Sequence, residues 1–216
     1  MTIYLIRHGK TEANEKHIYC GSTDIPLTDA GRKELENLHY DIENVHFLTS
    51  GMRRTDETLR ILFGNVPFGT EPRFRELDFG IFEMHSYEEL KDTAAYQTWL
   101  SGDNQSNIAP SGESGVQMQR RILEAFSEIR EDTCVVTHGG VIAVIMEYLF
   151  PEENKKRYQW QPKPGGNTRS AVEVTASCLK TFSRHPLGCR LFASGELHID
   201  GWIHKIYILP VQLFTE

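Results

Sequence analysis

The sequence has little cysteine and no long apolar run, and each shortage excludes a class of protein. Its 216 residues include four cysteines with no Cys-x-x-Cys pair among them, so we expect reduced thiols and no disulfide framework. The longest apolar run, residues 141–146, is too short to cross a membrane, and no signal peptide is recognisable. We therefore expect a cytoplasmic protein without membrane contacts.

Positive charge is also scarce. Lys and Arg number 23 against 30 Asp and Glu, which gives a net charge of −7 at pH 7, so nucleic-acid binding is not expected. A site for an anion must then be local and built from a few arginines. With 39% hydrophobic and 25% charged residues, the composition is that of a globular domain with a substantial core. We expect one domain over residues 1–216, with the place of the tail, residues 167–216, left open.

Strand and helix patterns alternate along the chain. Apolar runs predict strands at residues 3–7, 45–49 and 133–137. Capping signals and periodicity predict helices at 28–40, 52–63 and 114–129, a helix from 86 that can extend to 100, and a buried helix after Gly140. In the tail, residues 171–175 and 203–209 are strand-like. This alternation predicts a three-layer α/β/α domain with a mostly parallel central sheet.

Two of the predicted strands lead directly into a histidine followed by glycine. His8 follows the first strand and His138 the third, so a parallel sheet can bring both imidazoles to its carboxyl edge. Arg7, beside His8, is a planar fork suited to phosphate oxygens. A histidine nucleophile must be neutral with one nitrogen bare, and a backbone carbonyl in a glycine turn can fix that tautomer. The pattern therefore indicates an anionic substrate.

Two more segments supply charge at compatible places. Arg54 lies in the first turn of the helix after the second strand and can point back over the sheet edge, whereas Arg53 is interpreted as a solvated helix charge. Glu76 lies in an acidic loop after Pro72. A carboxyl group near a bound phosphate has its protonated form favoured by the negative charge, which suits a general acid. The alternative for Glu76 is an ordinary surface carboxylate.

In combination, these motifs resemble the histidine phosphatase superfamily, the phosphoglycerate mutase-like proteins. The matching segments occur in the family's order at residues 7–11, 21–31, 54–58, 76–83, 110–114 and 136–140. The resemblance covers residues 1 to about 150 and implies a phosphoglycerate mutase-like fold. It also implies a role for each matching residue. His8 would become phosphohistidine, Glu76 would protonate the leaving oxygen and then assist water, and the phosphate pocket would be completed by Arg7, Arg54 and His138, with Asn14, Thr23 and the Gly139 N–H as further substrate contacts.

The implied function is a phosphomonoesterase of the histidine acid-type that acts on small phosphorylated metabolites such as α-ribazole 5'-phosphate. No metal or other cofactor is implied, the partner is a small phosphate monoester, and a homodimer is left open. Lys10 stands where the family often has Glu, and it adds positive charge that can affect substrate choice. Two alternatives remain: a cofactor-dependent phosphoglycerate mutase, and an inactive phosphate-binding module. The mutase is less favoured, because the segment after Glu83 leads directly to a helix without a long enclosing insertion.

Overall fold

The computed structural model describes residues 2–103, 105–151, 157–161, 172–175, 196–199 and 202–205. Its central sheet contains β1 (Thr2–Arg7), β2 (His46–Thr49), β3 (Gly69–Thr70), β4 (Thr133–Thr137) and β5 (Val172–Thr175), in the spatial order β3-β2-β4-β1-β5. The first four strands are parallel and β5 is antiparallel to β1, so the predicted mostly parallel sheet is confirmed. A separate antiparallel pair is formed by β6 (Glu196–Ile199) and β7 (Trp202–Lys205).

Helices lie between the successive strands of the central sheet. They are α1 (Glu12–Lys16), α2 (Asp29–Glu36), α3 (Arg53–Phe63), α4 (Tyr87–Leu90), α5 (Ala94–Leu100), α6 (Gly115–Glu128), α7 (Gly139–Leu149) and α8 (Arg157–Trp160). Two 3-10 helices, Pro72–Phe74 and Gly80–Phe82, flank the loop that contains Glu76. None of the helices within the described ranges is both long and apolar enough to cross a membrane.

The two faces of the sheet are covered by different helices, which confirms the three-layer α/β/α architecture. Side chains alternate across a strand, so Leu5 packs on one face in a cluster with residues of α6 and α7. Its neighbour Ile6 packs on the other face with Leu59 of α3. In β4, Val135 and Val136 divide in the same way. The buried sheet holds the carboxyl ends of β1 and β4 side by side, with Arg7 paired to Thr137.

Some predicted boundaries are wrong. The helix predicted from residue 86 towards 100 is two helices, because Thr93 ends the first by donating its hydroxyl to Leu90 O and caps the second by accepting from Tyr96 N. The helix predicted to reach residue 40 ends at Glu36, while Thr28 caps it as expected. The apolar helix after His138 is buried along almost its whole length, as predicted. Of the predicted tail strands, residues 171 and 206–209 lie outside the described residues.

Candidate active site

His8 lies immediately after β1 and is almost fully buried. Its backbone N–H donates to Thr137 O at the end of β4, which extends the pairing of the two strands by one residue. Its ring nitrogen Nδ1 lies 2.7 Å from Gly9 O. A carbonyl can only accept, so Nδ1 carries the hydrogen and Nε2 is left with its lone pair. Burial, with the nearby Arg54 and Arg7 guanidinium groups, holds the pKa of His8 well below its ordinary value, so the ring is neutral.

His138 occupies the N-cap position of α7 and packs against His8 with the ring centroids 5.1 Å apart. Its Nε2 lies 2.8 Å from Ser50 Oγ, and Arg54 Nε donates to its Nδ1 over 3.3 Å. Because Nδ1 accepts, Nε2 must carry the hydrogen and donate it to Ser50. Burial, together with Arg54 as the largest charge effect, holds the pKa of His138 well below its ordinary value.

A chain of hydroxyl groups fixes the tautomer of His138. Ser50 Oγ lies 3.1 Å from Thr55 Oγ1, and Thr55 donates to Met52 O over 2.7 Å. With Thr55 committed as a donor, the Ser50 hydroxyl donates to it and accepts from His138. Ser50, Thr55 and His138 are all buried, so each donor in this chain has an acceptor away from water.

Arg54 extends from the first turn of α3 and is almost completely buried. Besides the contact with His138, its terminal nitrogens donate to Thr23 O at 2.9 Å and to Gly21 O at 2.7 Å. Burial lowers the pKa of the guanidinium group, but its ordinary value is far above 7, so it stays charged. Arg54 thus joins the loop before α2 to His138.

Glu83 binds the same loop as Arg54, the one that contains Gly21 and Thr23. One carboxylate accepts from the backbone N–H groups of Gly21, Ser22 and Thr23 at 3.0–3.2 Å, and from the Thr23 hydroxyl at 2.7 Å. It also accepts from Phe79 N. Because carboxylates bind several N–H groups at once with charge-assisted strength, Glu83 fixes the carbonyls that face Arg54.

Arg7 and the first residue of α7 are in tight contact. A Cβ built on Gly139 would lie 3.0 Å from Arg7 Cζ and 3.1 Å from its Nε, so a larger residue would displace the guanidinium group. Burial lowers the pKa of Arg7, and the Glu76 charge opposes this. Arg7 therefore lies beside the N-terminus of α7, where the helix dipole adds further positive potential.

Glu76 reaches the same helix end from the loop between the two 3-10 helices. Its Oε2 accepts from Gly140 N at 2.9 Å and its Oε1 from Leu77 N at 3.0 Å. A Cβ at Gly140 would lie 2.2 Å from Glu76 Oε1, so glycine is needed for this approach. The nearby carboxylate of Asp78 has other partners, since it accepts from Ser22 Oγ and Gly80 N.

Three other residues singled out in the sequence have contacts of their own. Asn14 Oδ1 accepts from the backbone and hydroxyl of Thr11 and caps α1, which leaves the amide N–H groups to meet an anion. Thr23 donates its hydroxyl hydrogen to Glu83, so the oxygen is left only to accept. Lys10 forms an ion pair with Glu34 on α2 at 2.5 Å, which neutralises the charge expected near the pocket.

The structure has five residues of the predicted site in one cluster: His8, Arg7, Arg54, His138 and Glu76. The residues that support them were not predicted. Thr58 accepts from Gly9 N at 2.9 Å and donates to Arg54 O, so it restrains the backbone of Gly9, whose carbonyl accepts from His8 Nδ1. The helical pattern could have predicted Thr58 as a neighbour of Arg54, because positions 54, 55 and 58 lie on one face of a helix. Within the described residues, no cluster of three His, Cys, Asp or Glu side chains could hold a metal ion.

Comparison with known proteins gives a consistent answer. The family model described as the histidine phosphatase superfamily (branch 1) matches residues 3–176. An adenosylcobalamin/alpha-ribazole phosphatase from Salmonella typhimurium is 31% identical over 163 residues, which are 69% of this chain and 80% of that protein. A Yersinia enterocolitica protein named "Probable phosphoglycerate mutase GpmB" is 28% identical over 164 residues, which are 69% of this chain and 75% of that protein.

Solved structures share the fold. A proposed alpha-ribazole-5'-P phosphatase from Escherichia coli matches with a TM-score of 0.72 and 25% identity, over 81% of this chain and 91% of that one. The residues matched by the family model include the strand ends that carry the two histidines.

Proposed function

The chain belongs to branch 1 of the histidine phosphatase superfamily and is a phosphatase, and we propose that it hydrolyses small phosphate monoesters through a phosphohistidine at His8. The observation that carries the proposal is the hydrogen bond from His8 Nδ1 to Gly9 O, since it leaves Nε2 bare. The low pKa of His8 supports the same role, because a neutral imidazole is the nucleophilic form.

In the first half-reaction, His8 Nε2 attacks phosphorus and the bond from phosphorus to the ester oxygen breaks. Arg7, Arg54 and the N-terminus of α7 are the groups suited to the charge on the phosphoryl oxygens, because phosphoryl transfer depends on positioning and electrostatic stabilisation. Glu76 donates a proton to the departing alkoxide, which leaves as an alcohol. The Asn14 amide and the Gly139 N–H are the further donors that we propose for the phosphate.

In the second half-reaction, water attacks phosphorus and the bond from phosphorus to Nε2 breaks. Glu76, now a carboxylate, accepts a proton from the water as general base. The products are inorganic phosphate and neutral His8, with its Nδ1 hydrogen still donated to Gly9 O. No step requires a metal ion, so we expect turnover to persist in EDTA.

We propose α-ribazole 5'-phosphate as the substrate to be tried first, and the name of one relative supports this choice. The relative from Salmonella typhimurium is named for alpha-ribazole, and the match covers 69% of this chain. The Thr23 oxygen, left to accept, is suited to a hydroxyl group of the substrate.

A mutase activity has some support from the relative named as a phosphoglycerate mutase. The path of the chain favours hydrolysis, because only four residues separate the 3-10 helix Gly80–Phe82 from α4, which begins at Tyr87. So short a connection encloses little of the pocket, and water can compete with a second substrate for the phosphohistidine. Incubation with 3-phosphoglycerate and catalytic 2,3-bisphosphoglycerate should therefore yield little 2-phosphoglycerate.

The proposal is tested by phosphate release from a panel of metabolites that includes α-ribazole 5'-phosphate and phosphoglycerates, with EDTA present. We expect release from at least one small monoester and almost none with the His8→Gln variant. No release from any monoester, including p-nitrophenyl phosphate, would instead support the inactive binding module. Release that disappears with EDTA and returns with added metal would overturn the proposed chemistry.

A further inference from the structure

Glu76 lies in a segment that makes no regular secondary structure of its own. Residues 75–79 connect the two 3-10 helices and themselves lie in no helix or strand. Buried or half-buried backbone groups need partners from elsewhere. Arg121, in the middle of α6, supplies hydrogen-bond donors to the carbonyls of Arg75 and Glu76.

The Arg121 guanidinium group donates hydrogen bonds to three backbone carbonyls at and before Glu76. One terminal nitrogen donates to Arg73 O and to Arg75 O, each at 2.7 Å, and the other donates to Glu76 O at 3.0 Å. The planar fork of arginine can make several such bonds in fixed directions, which the single ammonium of lysine cannot. Arg121 therefore determines the orientation of the peptide that carries the Glu76 side chain.

Glu113 completes the clamp on the other side of Glu76. Its two carboxylate oxygens accept from Nε and a terminal nitrogen of Arg121, and Oε1 also accepts from Asp78 N. Glu113 N in turn donates to Asp78 O. Both charged side chains are about one-fifth exposed, with 22% and 19% of their surface accessible, so water weakens this pair less than an exposed one.

We propose that Arg121, paired with Glu113, is a positioning residue that holds the Glu76 carboxyl group at the N-terminus of α7 for proton transfer. The proposal rests on the general-acid role of Glu76 in the proposed function. Arg121 itself makes no contact with the phosphate pocket through these bonds. Its loss should therefore slow reactions that need a proton on the leaving oxygen and spare those that do not.

The test compares substrates with good and poor leaving groups. We measure kcat/KM for p-nitrophenyl phosphate and for ethyl phosphate with wild type, Arg121→Lys and Glu76→Gln. For Arg121→Lys we expect a loss of about 10- to 100-fold on ethyl phosphate, a part of the 10²–10⁴-fold that general acid catalysis contributes, and less than about 3-fold on p-nitrophenyl phosphate.

The neighbouring Arg120 gives a matched control. It lies on the same helix, its side chain is 82% exposed, and it pairs with Glu124. Arg120→Lys should leave both rates unchanged. If Arg121→Lys does not fold, Glu113→Gln tests the same clamp with Glu124→Gln as its control, and it should show the same dependence on the leaving group.

A double variant separates positioning from general structural support. Once Glu76 is replaced by Gln, adding Arg121→Lys should cause no further loss on ethyl phosphate, because both changes remove the same step. An equal loss on both substrates, or a loss that multiplies in the double variant, would overturn the proposal. If Glu76→Gln itself shows no dependence on the leaving group, the assignment of the acid in the proposed function fails as well.

Discussion

Ser50 Oγ lies 2.8 Å from Nε2 of His138, and this contact decides which nitrogen of that imidazole carries the hydrogen. The hydroxyl can accept from Nε2 because its own hydrogen is directed to Thr55. Nδ1 of His138 is thereby left as an acceptor for Arg54. A serine 88 residues away in sequence thus determines how the second histidine meets the arginine of the pocket.

Replacing Ser50 with alanine should disturb this arrangement. The variant leaves a buried N–H of His138 without an acceptor, which typically costs about 1–3 kcal/mol. We expect kcat/KM to fall by roughly 10-fold, with a lower Tm. Ser106→Ala, at an exposed turn, is the control and should change neither quantity. Wild-type kinetics in Ser50→Ala would show that the tautomer of His138 does not matter.

Thr58→Val should weaken the support of His8. Valine keeps the shape but cannot accept from Gly9 N, so the backbone of Gly9, whose carbonyl accepts from His8 Nδ1, loses a restraint. We expect kcat to fall by about 10-fold while KM changes little, because the change affects the orientation of the attacking His8 ring more than substrate binding. Thr98→Val is matched, because Thr98 also donates to the carbonyl four residues earlier on a helix but is exposed. Equal effects of the two variants would contradict this role.

Glu83→Gln should weaken the hydrogen bonds that Arg54 makes with the carbonyls of Gly21 and Thr23. The amide offers one acceptor oxygen where the carboxylate has two, and it brings N–H groups towards the N–H groups of Gly21 and Thr23. Arg54 then loses its fixed carbonyl partners. We expect inhibition by vanadate to weaken by about 10-fold, measured as Ki. Glu88→Gln, at a surface pair with Lys91, is the control. An unchanged Ki would separate Glu83 from the anion site.

The low pKa of His8 and His138 makes stability depend on pH. Their folded pKa values lie below the unfolded value near 6.5, because burial disfavours the charged rings. The unfolded state therefore binds more protons as pH falls below 6.5, and stability is lost by up to about 1.4 kcal/mol per pH unit for each histidine. Tm should fall between pH 7 and 5, and less steeply in His138→Gln. An identical slope in that variant would contradict the argument.

The sequence predicted the parts of this site that follow from strand ends. His8 and His138 could be found because apolar strands lead into them, and Arg54 because a helix starts after β2. The supporting contacts could not be found in this way, because they join distant segments without any periodic pattern. Glu83 meets Gly21 across 62 residues, and Arg121 meets Arg73 across 48. The prediction of a single helix from residue 86 was wrong because the Thr93 side chain donates to Leu90 O and accepts from Tyr96 N, which ends one helix and begins another.

Other expectations from composition stay predictions. The net charge of −7 argues against nucleic-acid binding, and the cysteine spacing favours a cytoplasmic location. Cys134 is buried in β4, and burial raises the pKa of its thiol, which disfavours the reactive thiolate. A single domain over the whole chain and a homodimer are open to test by limited proteolysis and by light scattering.

The central claim is that phosphate passes through Nε2 of His8, and it is tested most directly by trapping the intermediate. Wild type is mixed briefly with labelled substrate, denatured in alkali, and digested for mass spectrometry, beside His8→Gln and His138→Gln. We predict phosphate on His8 that survives alkali and is lost in acid, with no label in His8→Gln. Acid-stable phosphate on a serine, threonine or other residue, or full turnover by His8→Gln, would contradict the account.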